Sequence, residues 1–118
     1  MILTLLLTAA LTAGTKPPPT NMLQNTSWEA DGGIRLEFYT GDSMRTFVDG
    51  RVLATATYRI TASTFSIIDR SGPITCLPGK KGLYSWLYKD QKLELTRMSD
   101  KCDERGQFLH GLKLKRSS

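Results

Sequence analysis

The sequence predicts an all-β protein, an antiparallel up-and-down β-barrel of about eight strands stapled by one disulfide. Three observations carry this. From Trp28 onward, short apolar runs alternate with turn residues at close intervals. No helical stripe longer than a turn or two interrupts them. The chain has 118 residues, 40% hydrophobic and 23% charged, but its first 20 are an apolar leader and a proline run, leaving about 98 for a core. That length excludes a two-domain enzyme, a Rossmann domain or a (β/α)8 barrel, which needs roughly 200 residues or more.

Residues 1–14 read as a secretory signal. The run from Ile2 to Ala13 is too short for a bilayer-spanning helix, which takes about 20 apolar residues, and it ends in the small residues Ala13 and Gly14. No Lys or Arg precedes the run, so the usual basic n-region is absent; the alternative is an uncleaved anchor or a buried strand. Residues 15–21, with Pro17, Pro18 and Pro19, form an extended linker. Residues 22–118 form the barrel domain.

Within it, the segment around Trp28 opens the sheet. Ile34 to Tyr39 is the next strand, closed by Thr40-Gly41-Asp42; Arg45 to Val48 follows, closed by Asp49-Gly50, a strong hairpin signal. Ala54, Ala56, Tyr58 and Ile60 alternate with threonines and Arg59, giving one apolar face. Phe65 to Ile68 ends at Asp69-Arg70-Ser71-Gly72-Pro73. Leu83 to Lys89 and Lys92 to Met98 pair around Asp90-Gln91, and Leu109 to Arg116 is the last strand. Parity then selects the interior: Phe47; Tyr58 and Ile60; Phe65 and Ile67; Tyr84 and Trp86; Leu93 and Leu95; and Leu112.

Cys76 and Cys102 are the only cysteines and fit neither zinc-ligand nor C-x-x-C spacing. They read as a structural disulfide, with two buried free thiols as the alternative. Closing a loop of 26 residues stabilises a fold by about 3.5 kcal/mol in the chain-entropy description. A disulfide also points to a secreted or periplasmic protein.

The stretches Gly82-Leu83-Tyr84-Ser85-Trp86, Lys92-Leu93-Glu94-Leu95, Asp100-Lys101-Cys102-Asp103-Glu104-Arg105 and Leu109-His110-Gly111 with Lys115-Arg116 resemble the second half of small exported bacterial lipocalin-like proteins of the calycin type. Glycine is lacking before Trp28, and Leu114 stands where that family has tryptophan. The resemblance implies a barrel that holds a small apolar ligand. It also implies a latch in which Trp28 packs under Arg116, and pairing of Cys102 with Cys76.

Catalytic chemistry finds little footing. His110 has no nucleophile in a recognisable frame, and reads as a polar residue on the edge of the last strand. Asp100, Asp103 and Glu104 form the only carboxylate cluster; they read as helix-turn residues, with Asp100 capping and Arg105 at the far end, rather than as metal ligands. Pro78-Gly79-Lys80-Lys81-Gly82 lacks phosphate-loop spacing. Neither an enzyme nor a cofactor is expected. Net charge of +5 comes from small clusters without interleaved exposed aromatics, so a solvated surface with affinity for anionic envelope components is expected rather than nucleic-acid binding.

The expected function is therefore binding of a small hydrophobic ligand in the barrel interior. The alternative is a packed barrel acting as an interaction module, such as a secreted protease inhibitor or envelope accessory, reaching its partner through the proline-stiffened arm.

Overall fold

The computed structural model describes residues 21–73, 76 and 79–117. The expected signal segment and all of the linker but Asn21 lie outside them. Eight antiparallel strands close in sequence order into a barrel: β1 (Thr26–Ala30), β2 (Ile34–Phe38), β3 (Ser43–Val48), β4 (Arg51–Ile60), β5 (Thr64–Ser71), β6 (Lys81–Lys89), β7 (Lys92–Asp100) and β8 (Lys113–Arg116). Closure is made by β1 and β8, with Trp28 opposite Arg116 and Glu29 opposite Lys115. It removes both sheet edges.

Turn chemistry sets the hairpins. Val48 pairs with Arg51 and Lys89 with Lys92, so Asp49-Gly50 and Asp90-Gln91 are two-residue loops, and all four residues have positive φ. That is the twist-matched geometry that connects antiparallel strands most tightly.

The middle of the barrel is solid. Phe38 packs edge-on against Tyr58 and Phe65 with centroids 4.9 and 6.1 Å away, and Phe65 meets Tyr84 at 6.4 Å. Trp28, Leu36, Met44, Leu93, Leu95 and Leu114 complete the core. Burying each such side chain stabilises the fold by about 1.5–3 kcal/mol relative to exposure.

The two ends differ. One is plugged by the turn before β1, where Leu23 is 1% exposed. Asn21 ties that turn to the far strands, its Nδ2 donating to the Tyr58 hydroxyl at 2.6 Å. Thr26 joins it to the core, its hydroxyl donating to the Leu23 carbonyl and accepting the Trp28 indole N–H at 2.7 Å. The other end carries the Cys76–Cys102 disulfide and a helix, α1 (Asp103–Leu109).

Several expectations are corrected at this second end. Leu109 closes α1 rather than opening the last strand, which begins at Lys113. Cys102, not Asp100, is the N-cap residue, and it makes no side-chain cap; Asp100 instead accepts the Cys102 N–H at 2.8 Å. Arg105 is buried and lies in the first half of α1, not at its far end. His110 is the C-cap residue of α1, and its Nδ1 accepts the Arg97 backbone N–H at 3.0 Å.

Candidate functional site

Three strand irregularities shape the disulfide end. Register shifts fall between Thr46 and Phe47, between Thr55 and Ala56, and between Leu83 and Tyr84. Each adds a residue to one strand, bending it and increasing its twist. β5 continues inward past Phe65 and Ile67 to Asp69, which is buried beside Ala56. β6 and β7 bring Gly82 opposite Asp100, whose carboxylate occupies the space a side chain would fill: a Cβ on Gly82 would collide with Asp100 Oδ2.

Arg105 enters between these two carboxylates from α1. Its Nε and Nη2 grip Asp100 bidentately at 2.9 and 2.8 Å, and Nη2 also reaches the Lys80 carbonyl at 2.8 Å. Nη1 lies 3.3 Å from Asp69 Oδ1, an ion-pair contact at an angle that makes no hydrogen bond. The Tyr84 hydroxyl donates to Asp100 Oδ2. Each carboxylate then holds the backbone N–H of one disulfide cysteine, Asp69 that of Cys76 at 3.0 Å and Asp100 that of Cys102 at 2.8 Å. One guanidinium thus joins both halves of the covalent staple.

The electrostatics follow from this wiring. Burial alone would raise the Asp100 pKa, but hydrogen bonds from Arg105, Tyr84 and the Cys102 amide hold it below the ordinary aspartate value. Burial would lower that of Arg105, and the two aspartates raise it instead. The Tyr84 hydroxyl is pushed far up, first by burial and then by its bond to the Asp100 carboxylate. All three groups are held in one protonation state across the neutral range.

Beside this network the barrel mouth forms an open-sided cavity of about 340 Å³. Thr46 and Val48 of β3, Leu53 and Ala54 of β4, and Ile67 and Asp69 of β5 form one wall. The opposite wall is the disulfide with Glu104, Arg105, Phe108 and Leu109 of α1. The volume sits at the small end of the roughly 300–1,000 Å³ range of ligand pockets, and the lining is apolar with a few polar groups, the usual composition of such sites.

Of the residues that parity selected, only Ile67 lines this cavity. Tyr58, Phe65, Tyr84, Leu93 and Leu95 are buried in the solid core, and Ile60, Trp86 and Leu112 are half-buried against it. The Trp86 indole donates to the Thr61 carbonyl at 2.9 Å. Phe47 pairs across from Arg35 on the outward-facing set, and the guanidinium covers its ring at 4.4 Å from the centroid. Around Trp28, Tyr88 packs edge-on at 6.0 Å while Arg116, in register opposite, is exposed. Among the described residues no group of His, Cys, Asp and Glu could hold a metal ion, and no helix is long and apolar enough to cross a membrane.

No protein-family model matches the chain, and neither a curated protein nor a solved structure is significantly similar to it. The geometry therefore carries the functional reading by itself. The signals that could have found the site were the shared parity of Phe65, Ile67 and Asp69, and the arginine three residues after Cys102.

Proposed function

We propose that the protein is a small exported lipocalin-like carrier that binds an apolar ligand at the disulfide end of its barrel. The supporting observation is the cavity of about 340 Å³ between β3–β5 and α1, left open where the middle of the barrel is filled by packed aromatic and aliphatic side chains. The disulfide and the Asp69–Arg105–Asp100 network stiffen one wall, so ligand would enter a site already formed and lose little free energy to ordering it. A secreted or periplasmic location agrees with the disulfide. The interaction-module reading rests on the arm before Leu23, of which only Asn21 and Met22 are among the described residues, and no contact favours it.

N-Phenyl-1-naphthylamine, a neutral apolar fluorophore, is the direct probe. The wild-type chain is expected to bind it at one site with micromolar affinity, about −7 kcal/mol. Val48→Trp, which grows into the cavity, is expected to abolish the signal while preserving far-UV circular dichroism. Absence of saturable binding to wild type, or undiminished binding to a folded Val48→Trp chain, sinks this function.

A further inference from the structure

Resting on that cavity reading, we propose that the ligand carries a cationic head group, an alkyl or aryl amine, and that Glu104 receives it. The charged residues lining the cavity are Asp69, Glu104 and Arg105, and no lysine lines it among the described residues. An anionic amphiphile such as a fatty carboxylate would need Arg105, but only Nη1 of that guanidinium is without a hydrogen bond. Nε and Nη2 are both bonded to Asp100; Nη1 makes no hydrogen bond but lies 3.3 Å from Asp69 Oδ1, so a ligand carboxylate reaching it would meet the charge of that aspartate. No free fork of donors remains for a second carboxylate. Drawing Arg105 away would leave two aspartates buried without their counter-charge, since Asp69 and Asp100 are 6% and 9% exposed.

Glu104 is in the opposite situation. It stands in the first turn of α1, at the cavity wall and exposed, with no ion-pair or hydrogen-bond partner among the described residues. Its neighbour Asp103 is occupied by Arg97 at 3.1 Å and by Gln107 at 2.8 Å. The amides that open α1 offset part of the Glu104 charge, but the cavity remains negative. An ammonium at Glu104 would also lie on the side of the cavity walled by Phe108, whose ring face attracts cations. The chain as a whole carries +5, so non-selective attraction would favour carboxylates, and a preference for amines must come from the site.

Displacement of N-phenyl-1-naphthylamine by decylamine, decanol and decanoate, at neutral pH and below their aggregation limits, tests this with one chain length and three head groups. Decylamine is expected to bind roughly tenfold more tightly than decanoate, with decanol between. Glu104→Gln should bring decylamine down to the level of decanol measured on the same variant, and leave the melting temperature unchanged. Equal affinity for the two charged ligands, preference for decanoate, or an amine preference that survives Glu104→Gln overturns the proposal while leaving the cavity reading intact. Failure of the probe and decanol to bind at all overturns both.

Discussion

Arg105 is the residue whose loss costs the fold most. Its side chain is 6% exposed, and its single positive charge is shared by two buried carboxylates. Arg105→Met is expected to destabilise the protein by about 3–5 kcal/mol in urea unfolding, because removing one member of a buried ionic group strands the others. Arg105→Lys should recover little, since an ammonium cannot make the paired contact with Asp100. A loss below about 1 kcal/mol for Arg105→Met would show that the network contributes little. Asp100 adds a pH signature. Its folded pKa is depressed, so its stabilisation is fully present above the unfolded value near 3.8 and is lost as pH falls through the lower folded value. Stability should therefore decline on acidification below about pH 4, and Asp100→Asn should be less stable at neutral pH with a flatter acid limb. An unchanged acid limb in that variant would assign the decline to other carboxylates.

At the scale of elements, the two tight hairpins are unequal. Asp49-Gly50 has glycine at its second left-handed position, whereas Gln91 holds φ 63° with a full side chain. Gln91→Gly is expected to stabilise by about 0.5–1 kcal/mol, the relief of left-handed strain exceeding the entropy cost of glycine, and calorimetry reads it as a higher melting temperature. The outer face of β6–β7–β8 carries a like-charged row, Lys89 opposite Lys92 and Lys92 opposite Lys115. Lys92→Glu should stabilise by about 0.2–1 kcal/mol at low salt, with the gain shrinking as salt is added. A salt-independent gain would mean that packing, not charge, is responsible.

The strands themselves were legible because a hairpinned sheet writes its period of two and its turn residues locally. Ala54 to Ile60 and Leu93 to Leu95 needed nothing more. Phe47 is buried, at 9% exposure, but not in the barrel interior: Met44, Thr46 and Val48 share the inward parity of β3, and Arg35 from the next strand covers the outward ring. α1 was hidden by its length, two turns with Phe108 and Leu109 adjacent rather than spaced. In the sequence Asp69 opens a turn-like run, and nothing local marks it as buried: its partner lies 36 residues downstream, and only the closed barrel brings Arg105 to it.

For the whole molecule, the two ends divide the work. The end closed by Leu23 completes the core, and the disulfide end keeps a cavity under a covalent and ionic strap. Replacing Cys76 and Cys102 with serine should cost about 2–5 kcal/mol and loosen the cavity wall with it. The most direct test of the cavity is a methyl NMR titration of the intact chain with N-phenyl-1-naphthylamine. Saturable shifts at the Leu53, Ile67 and Leu109 methyls, with Leu36 and Leu114 unmoved, are expected because the first three line the cavity and the last two lie in the filled core. Shifts confined to the exposed Leu87 and Met98, or none at saturating probe, would contradict a ligand site at the disulfide end.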